Sequence, residues 1–247
     1  MQMNCSRDGV SNLTLQRKIM TLSAVIWDLD GTIIDSAPDL AGTLNTLLQA
    51  HRRPPLSEAD VRGMIGNGVA RLIERGFAES RAIESEDELR HLVAQFMSDY
   101  NARATVLTRI YPGARVALRE FLNAGILQAI CTNKPEAISR TILKDLDLDQ
   151  YFEIVVGGDT LEHRKPHPLP LRSCLQALGA NTESALMIGD SAVDVATARA
   201  LSMTVGIVTH GYARQPVETL GADFLISDLA RLSTQVDQML RISQASA

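Results

Sequence analysis

Acids, lysines and hydroxyl residues stand together where this chain leaves its apolar runs. Asp28-Leu29-Asp30-Gly31-Thr32 follows one run, Thr132-Asn133-Lys134 a second, and Gly189-Asp190-Ser191, with Asp194 beyond, a third; Lys165 lies in a Lys-Pro-His-Pro loop. Gathered in one place, the acids would repel: two carboxylates about 4 Å apart cost roughly 4 kcal/mol at an effective dielectric near 20. Such a cluster needs a cation. Oxygen ligands at this density suit Mg²⁺, which keeps several waters and bridges readily to a phosphate oxygen. A carboxylate beside a metal-bound phosphoryl group is placed for in-line attack, with lysine and metal neutralising the spreading charge. The residue types fit phosphoryl transfer better than any other reaction.

For these clusters to meet, the rest of the chain must bring them to one edge. Residues 22–27 form a short apolar run closed by Asp28, the mark of a buried strand, and similar runs recur at 125–131, 153–156, 184–188, 204–208 and 223–226. Patterns of helical period lie between them, at 113–123, 135–146, 168–178 and 193–201. Strands buried on both faces and alternating with helices predict an α/β fold with a doubly wound, Rossmann-like parallel sheet. Ligands of such sheets sit beyond the carboxyl ends of the strands, where the three clusters fall. Residues 38–110 break the alternation with helical patterns only, at 40–50, 57–63, 69–77 and 86–103. They predict an all-helical cap domain inserted into a catalytic core of residues 20–37 and 111–247. Ser57, three residues before Asp60, has the spacing of a helix N-terminal cap.

The bulk properties bound the answer. A chain of 247 residues with 45% hydrophobic content holds one α/β core and a smaller second domain. The net charge of -5 argues against a nucleic-acid partner. Cys5, Cys131 and Cys174 form no Cys-x-x-Cys pair, so neither a disulfide framework nor a zinc site is expected, and a reducing, cytoplasmic setting is. No run approaches the roughly 20 apolar residues of a membrane span. Residues 1–19, with Arg7, Asp8, Arg17 and Lys18 and no apolar run, do not read as a secretory signal. They read as a disordered tail, or as a stretch ahead of a start at Met20.

The motifs carry a family likeness. Asp28-x-Asp30-Gly-Thr-x-x-Asp35-Ser36 resembles the first motif of the haloacid dehalogenase superfamily, Thr132-Asn133 its second, Lys165-Pro166 its third, and Gly189-Asp190-Ser191-x-x-Asp194 its fourth. All four stand in the family order over roughly residues 22–229. The resemblance implies that Asp28 is the nucleophile that becomes phosphorylated, and that Asp30 is the general acid and then the base that activates water. It implies Mg²⁺ held by the Asp28 side chain, the Asp30 carbonyl and Asp190. Thr132 and Lys165 would grip the phosphoryl oxygens with Asn133 beside them, and Asp194 would order the metal's waters or Lys165. The helical cap would close to exclude bulk water. Trp27 stands where the family commonly has Phe, which reads as a packing change.

Within the superfamily, Asp30 excludes the dehalogenases proper, which lack the second acid of the first motif. The absence of any lysine between Lys18 and Lys134 excludes Schiff-base chemistry from the cap. Phosphosugar mutases remain open. Asp35-Ser-Ala-Pro-Asp39-Leu, Ile65-Gly-Asn-Gly-Val69, Tyr111-Pro-Gly113, Thr132-Asn-Lys-Pro135, Gly157-Gly-Asp-Thr160 and Gly211-Tyr212 resemble the bacterial phosphoglycolate phosphatases. Phosphatases of N-acetylmuramic acid 6-phosphate, pyrophosphate or nucleotides share much of this vocabulary. A phosphate-sensing binding protein on the same fold is the non-enzymatic alternative, although such proteins usually lose Asp28 or Asp30. Arg62, Asn67 and Arg71 surround Gly66 and Gly68, so this turn is expected to read the substrate's leaving group, an Arg pairing with a carboxylate; a solvated helix start is the plainer reading. Asp194 also suits the first turn of a helix by charge alone, and Cys131 a buried apolar position. Asp159-Thr160 shapes either the phosphate pocket or a plain turn, while His163 and His167 read as surface or structural residues. The expected partner is a small phosphorylated metabolite, the expected assembly a monomer or homodimer.

Overall fold

A strand at the centre of a parallel sheet is covered on both faces, so every residue in it must tolerate burial. Ala24–Trp27 (β1) meets that demand at all four positions. In the computed structural model, which describes residues 22–78, 80 and 82–245, this strand is the middle of a six-stranded parallel sheet. The tail expected at residues 1–19 lies outside the described residues. β1 pairs with β4 (Leu127–Cys131) on one side and β6 (Ala185–Gly189) on the other, Trp27 lying level with both Ile130 and Ile188. β5 (Ile154–Val156) flanks β4, while β7 (Thr204–Val208) and β8 (Phe224–Ile226) continue beyond β6. The order is thus β5-β4-β1-β6-β7-β8. The chain winds outward from β1 through β4 to β5 and then returns to β6, so the winding reverses between β1 and β6. A crevice at the carboxyl ends belongs at such a reversal.

Strand alternation divides the core into two faces. Val25, Trp27, Ile130, Leu186 and Ile188 join a cluster with Leu118 and Phe121 of α5 (Ala114–Asn123) and Ile138 and Ile142 of α6 (Glu136–Asp145). Ala24, Ile26, Ala129, Cys131 and Met187 face Leu171 and Cys174 of α7 (Leu169–Leu178) and Ala198 of α8 (Ala192–Ala200). Trp27 packs edge-on against Phe121, its indole N–H donating to Gln128 Oε1 at 3.1 Å.

Between β1 and β4 the chain makes a helical insertion: α1 (Ala37–Ala50), α2 (Glu58–Arg62), α3 (Val69–Ala78) and α4 (Glu86–Asn101). Leu44, Leu48, Phe77 and Phe96 close its interior. Ser57 caps α2 by accepting from the Asp60 N–H at 3.1 Å. Two elements at the root were not predicted. β2 (Ile34–Asp35) and β3 (Arg109–Ile110) pair antiparallel where the chain leaves for the insertion and comes back. Buried Asp39 ties the same root, one oxygen accepting from Leu107 N–H, Thr108 N–H and Thr108 Oγ1 at 2.7 to 2.9 Å. A C-terminal helix α9 (Leu232–Ala245) was also unpredicted, although Leu232, Val236 and Leu240 recur at helical spacing and anchor it. Among the described residues, no helix is long and apolar enough to cross a membrane.

Candidate active site

The polar residues of the four motifs meet at the winding reversal. β1 ends at Trp27, and the next residue, Asp28, donates its N–H to Ile188 O of β6 at 2.8 Å. Its carboxylate is therefore held beside the end of β6, where Asp190 follows Gly189. Carboxylate oxygens of Asp28, Asp190 and Asp194 lie within 4.8 Å of one another, and all three residues are buried. Gly31 (φ +83°) and Gly211 make this crowding possible, because a Cβ on either would collide with the Asp190 side chain. The Tyr212 N–H fixes Asp190 Oδ2 at 2.6 Å.

Lys165 enters from its loop and separates two of the acids. Its Nζ donates to Asp194 Oδ1 at 2.6 Å and stands 2.9 Å from Asp28 Oδ1, an ion pair whose angle falls outside hydrogen-bond geometry. Asp194 forms a capping box at the start of α8, its Oδ2 accepting from Asp190 N–H, Ser191 N–H and Ser191 Oγ. With both oxygens so engaged, Asp194 serves the helix terminus and the lysine together. Thr132 and Asn133 follow β4, both buried. Asn133 Nδ2 donates to Lys165 O at 3.0 Å and Gly66 O at 3.1 Å, which ties the lysine loop to the glycine turn of the insertion.

Burial governs the electrostatics. Loss of water pushes the Asp28 carboxyl up to about 6; Lys165 opposes the shift, and Asp194 and Asp30 add to it. Asp190 is raised well above the usual carboxylate range, again by burial and then by Asp194 and Asp28. For Lys165 burial works downward, but the Asp194 and Asp28 charges outweigh it and hold the ammonium above the ordinary lysine range.

A cleft opens between these residues and the insertion. Asp28, Asp30, Thr132, Asn133 and Lys134 form its core side, and Leu40, Gly66, Gly68, Val69, Leu72 and Tyr100 line it from the insertion. Of the three residues expected to read a leaving group, none is among those lining this cleft. Arg62 makes a two-pronged pair with Asp35 at 2.9 Å, reaches Glu58 as well and stacks over Tyr212. Arg71 is exposed and pairs with Glu74. Asn67 accepts from Arg75 at 2.8 Å and faces a neighbouring cleft. The turn does reach the site, but through the backbone of Gly66 and Gly68. Asp159 and Thr160 belong to a turn, bonding the Glu136 N–H and carboxylate at the head of α6.

Residues 25–208 match the profile of the haloacid dehalogenase-like hydrolases. The chain belongs to that family. It is 42% identical over 213 residues to a phosphoglycolate phosphatase of Rhodospirillum rubrum, covering 85% of this chain and 88% of the relative. With a phosphoglycolate phosphatase of Cereibacter sphaeroides it shares 44% identity over 201 residues, 81% of this chain and 90% of that one. A crystal structure described as a predicted phosphoglycolate phosphatase from Haemophilus somnus superimposes with a TM-score of 0.82 at 30% identity, covering 87% of this chain and 98% of the other.

Hydrolases of this family generally use Mg²⁺, and the donor set fits a divalent ion on its own chemistry. Asp28, Asp190 and Asp194 bring three negative charges when ionised, and Lys165 supplies one positive charge. The balance of two is what one divalent cation cancels, and carboxylate oxygens are the ligands Mg²⁺ prefers. Since Asp194 is already saturated by hydrogen bonds, Asp28 and Asp190 are the carboxylates left to bind.

Two further residues line the cleft and were not predicted in it. Lys134 is buried and donates to both Asp30 oxygens at 3.0 and 3.1 Å. Burial alone would lower its basicity, but the Asp30 carboxylate beside it raises the ammonium above the ordinary lysine range. Tyr100, on α4, takes a third bond from Lys134 at 2.8 Å. The scarcity of lysine, four in the chain, was the available signal for Lys134. For Tyr100 the helical period indicated burial and nothing more.

Proposed function

We propose that this hydrolase is a Mg²⁺-dependent phosphatase of small phosphorylated metabolites, with 2-phosphoglycolate as its preferred substrate and an aspartyl phosphate on Asp28 as its intermediate. The observation that carries this reading is the gathering of Asp28, Lys165, Asp190 and Asp194, from three distant segments, at the carboxyl edge of one sheet. The Asp28 side chain, the Asp30 carbonyl and Asp190 would hold Mg²⁺, which when bound supplies positive charge that screens the acids and polarises the phosphoryl group.

The chain's own groups divide the remaining work. Asp28 attacks phosphorus and the bond to the leaving oxygen breaks in line with it. Thr132 Oγ1 and the Lys165 ammonium hold phosphoryl oxygens, and Lys165 is already fixed in place by Asp194. Asp30, once it has taken up a proton, gives that proton to the leaving oxygen, then takes one from the water that attacks phosphorus as the bond to Asp28 breaks and phosphate leaves. The insertion shields the cleft from bulk water.

The relatives named for phosphoglycolate favour the two-carbon acid as the substrate. Free, buried Cys131 and Cys174 suit a reducing, cytoplasmic setting. The direct test is phosphate release from 2-phosphoglycolate, N-acetylmuramic acid 6-phosphate, pyrophosphate and nucleoside monophosphates, with Mg²⁺ and with chelator. 2-Phosphoglycolate should give the highest kcat/KM and chelator should abolish turnover. Another substrate leading by tenfold would replace this assignment.

The crowded acids predict a second, independent result. A carboxyl raised to about 6 in the folded state binds a proton that the unfolded state has released, so its stabilising contribution is complete at low pH and lost as pH rises through about 6. In chelator, Tm should therefore fall between about pH 5 and pH 7, and Mg²⁺ should raise Tm far more at about pH 7 than at about pH 5. Equal Mg²⁺ shifts at both values would show that the ion binds away from Asp28 and Asp190.

A further inference from the structure

The two buried lysines of the cleft attend different acids. Lys165 stands against Asp28, the attacking residue, and Lys134 against Asp30, the residue assigned to the leaving oxygen. The ammonium of Lys134 has acceptors for its protons: two Asp30 oxygens and the Tyr100 hydroxyl. It also lies 4.8 Å from the centre of the Tyr100 ring. Tyr100 is different. Its oxygen accepts from Lys134, but among the described residues nothing accepts the phenolic proton, although the residue is fully buried and lines the cleft. Buried donors are rarely left unused, and a hydroxyl that accepts from a cation becomes the stronger donor. Most of the other wall positions on this side are apolar, among them Leu40, Ile65, Val69 and Leu72.

We propose that Lys134 and Tyr100 together form the subsite for an anionic group on the leaving group, a carboxylate attached to the ester carbon. The assignment rests on the substrate reading above and extends it to named specificity residues. When the leaving oxygen sits at Asp30, a carboxylate on the adjoining carbon falls beside whatever flanks Asp30, and that is Lys134 and Tyr100. Lys134 turns one of its two bonds with Asp30 over to the carboxylate, while Ser36 Oγ continues to donate to Asp30 Oδ1 at 2.5 Å. The free Tyr100 proton supplies the second bond. A phosphoester without the carboxylate leaves that donor without a partner against an apolar wall, and buried unpaired donors discriminate strongly between substrates.

The test compares kcat/KM for 2-phosphoglycolate with that for ethyl phosphate, which keeps the two-carbon chain and lacks the carboxylate. Wild type should favour 2-phosphoglycolate, and K134M should reduce the ratio by about 100-fold, mainly through KM. Y100F, which alters no charge and keeps the ring, should reduce it by roughly tenfold. It also guards against a K134M protein that folds poorly. Any loss of Asp30 function lowers both substrates alike and cancels in the ratio. If wild type turns both esters over equally, the substrate reading fails and the subsite falls with it. If wild type discriminates and the ratio survives K134M or Y100F unchanged, the subsite alone is overturned.

Discussion

Replacing Asp28 by Asn is expected to lower kcat for phosphate release by on the order of 10⁵-fold while leaving the metal-free protein folded and more stable than wild type near neutral pH. The amide oxygen can still face the Lys165 ammonium, and the side-chain volume hardly changes, so the surrounding packing persists. What disappears is the group proposed as nucleophile, since a neutral amide does not form the phosphoryl bond. One negative charge also leaves a buried cluster in which Asp190 and Asp194 remain. Because Asp28 carries a carboxyl raised to about 6, its ionisation opposes folding at about pH 7, and the Asn side chain avoids that cost. Loss of activity with a gain in metal-free Tm separates a chemical role from simple unfolding. Mass spectrometry after brief exposure to substrate and an acid quench should find phosphate on the wild-type peptide containing Asp28 and none on the variant. A variant retaining a tenth of wild-type turnover would remove Asp28 from the role of nucleophile.

Much of this arrangement was legible because strands and site are linked by one rule. Runs such as 22–27 and 184–188 are apolar throughout because both sheet faces are covered, and polar residues can reappear only where the strands end. Asp28 and Asp190 therefore had to lie at the same edge once the strands were taken as parallel, and Lys165 had few other acidic partners of equal burial. The cap was legible as helices, but its side-chain commitments were not. Arg62 and Arg71 looked available to a substrate, yet Glu58 stands four residues before the one and Glu74 three residues after the other, the spacings at which helical ion pairs form. Asp35 then completes the capture of Arg62 from a segment 27 residues earlier, which no local pattern announces. The Lys134–Asp30–Tyr100 contacts span 104 and 34 residues and depend on the angle at which α4 crosses the carboxyl edge. Two-residue strands such as β2 and β3 are too short to show a period at all.

Lys165→Met carries the second large effect: kcat should fall by on the order of 10³-fold or more, and excess Mg²⁺ should not restore it. Lys165 is the only cation touching Asp28 among the described residues, and it is 3% exposed, so water cannot replace it. Met keeps the length and apolar stem of the side chain and removes the charge. Asp28 and Asp194 then face each other without a counter-ion, which costs stability in the metal-free protein unless they take up protons. The metal-free Tm of the variant should accordingly drop most at neutral pH and approach that of wild type in mild acid, a sign that follows from deleting the largest influence now lowering the Asp28 carboxyl. Lys165→Arg is expected to fail as a rescue. The ammonium meets Asp194 at 2.6 Å and Asp28 at 2.9 Å from one point, whereas a planar guanidinium is wider and would have to displace one acid. Two readouts therefore bear on the same residue, turnover and the pH profile of Tm. An Arg variant with wild-type kcat would show that the site needs only positive charge here, and that the compact contact of one ammonium with two carboxylates has no part in the rate.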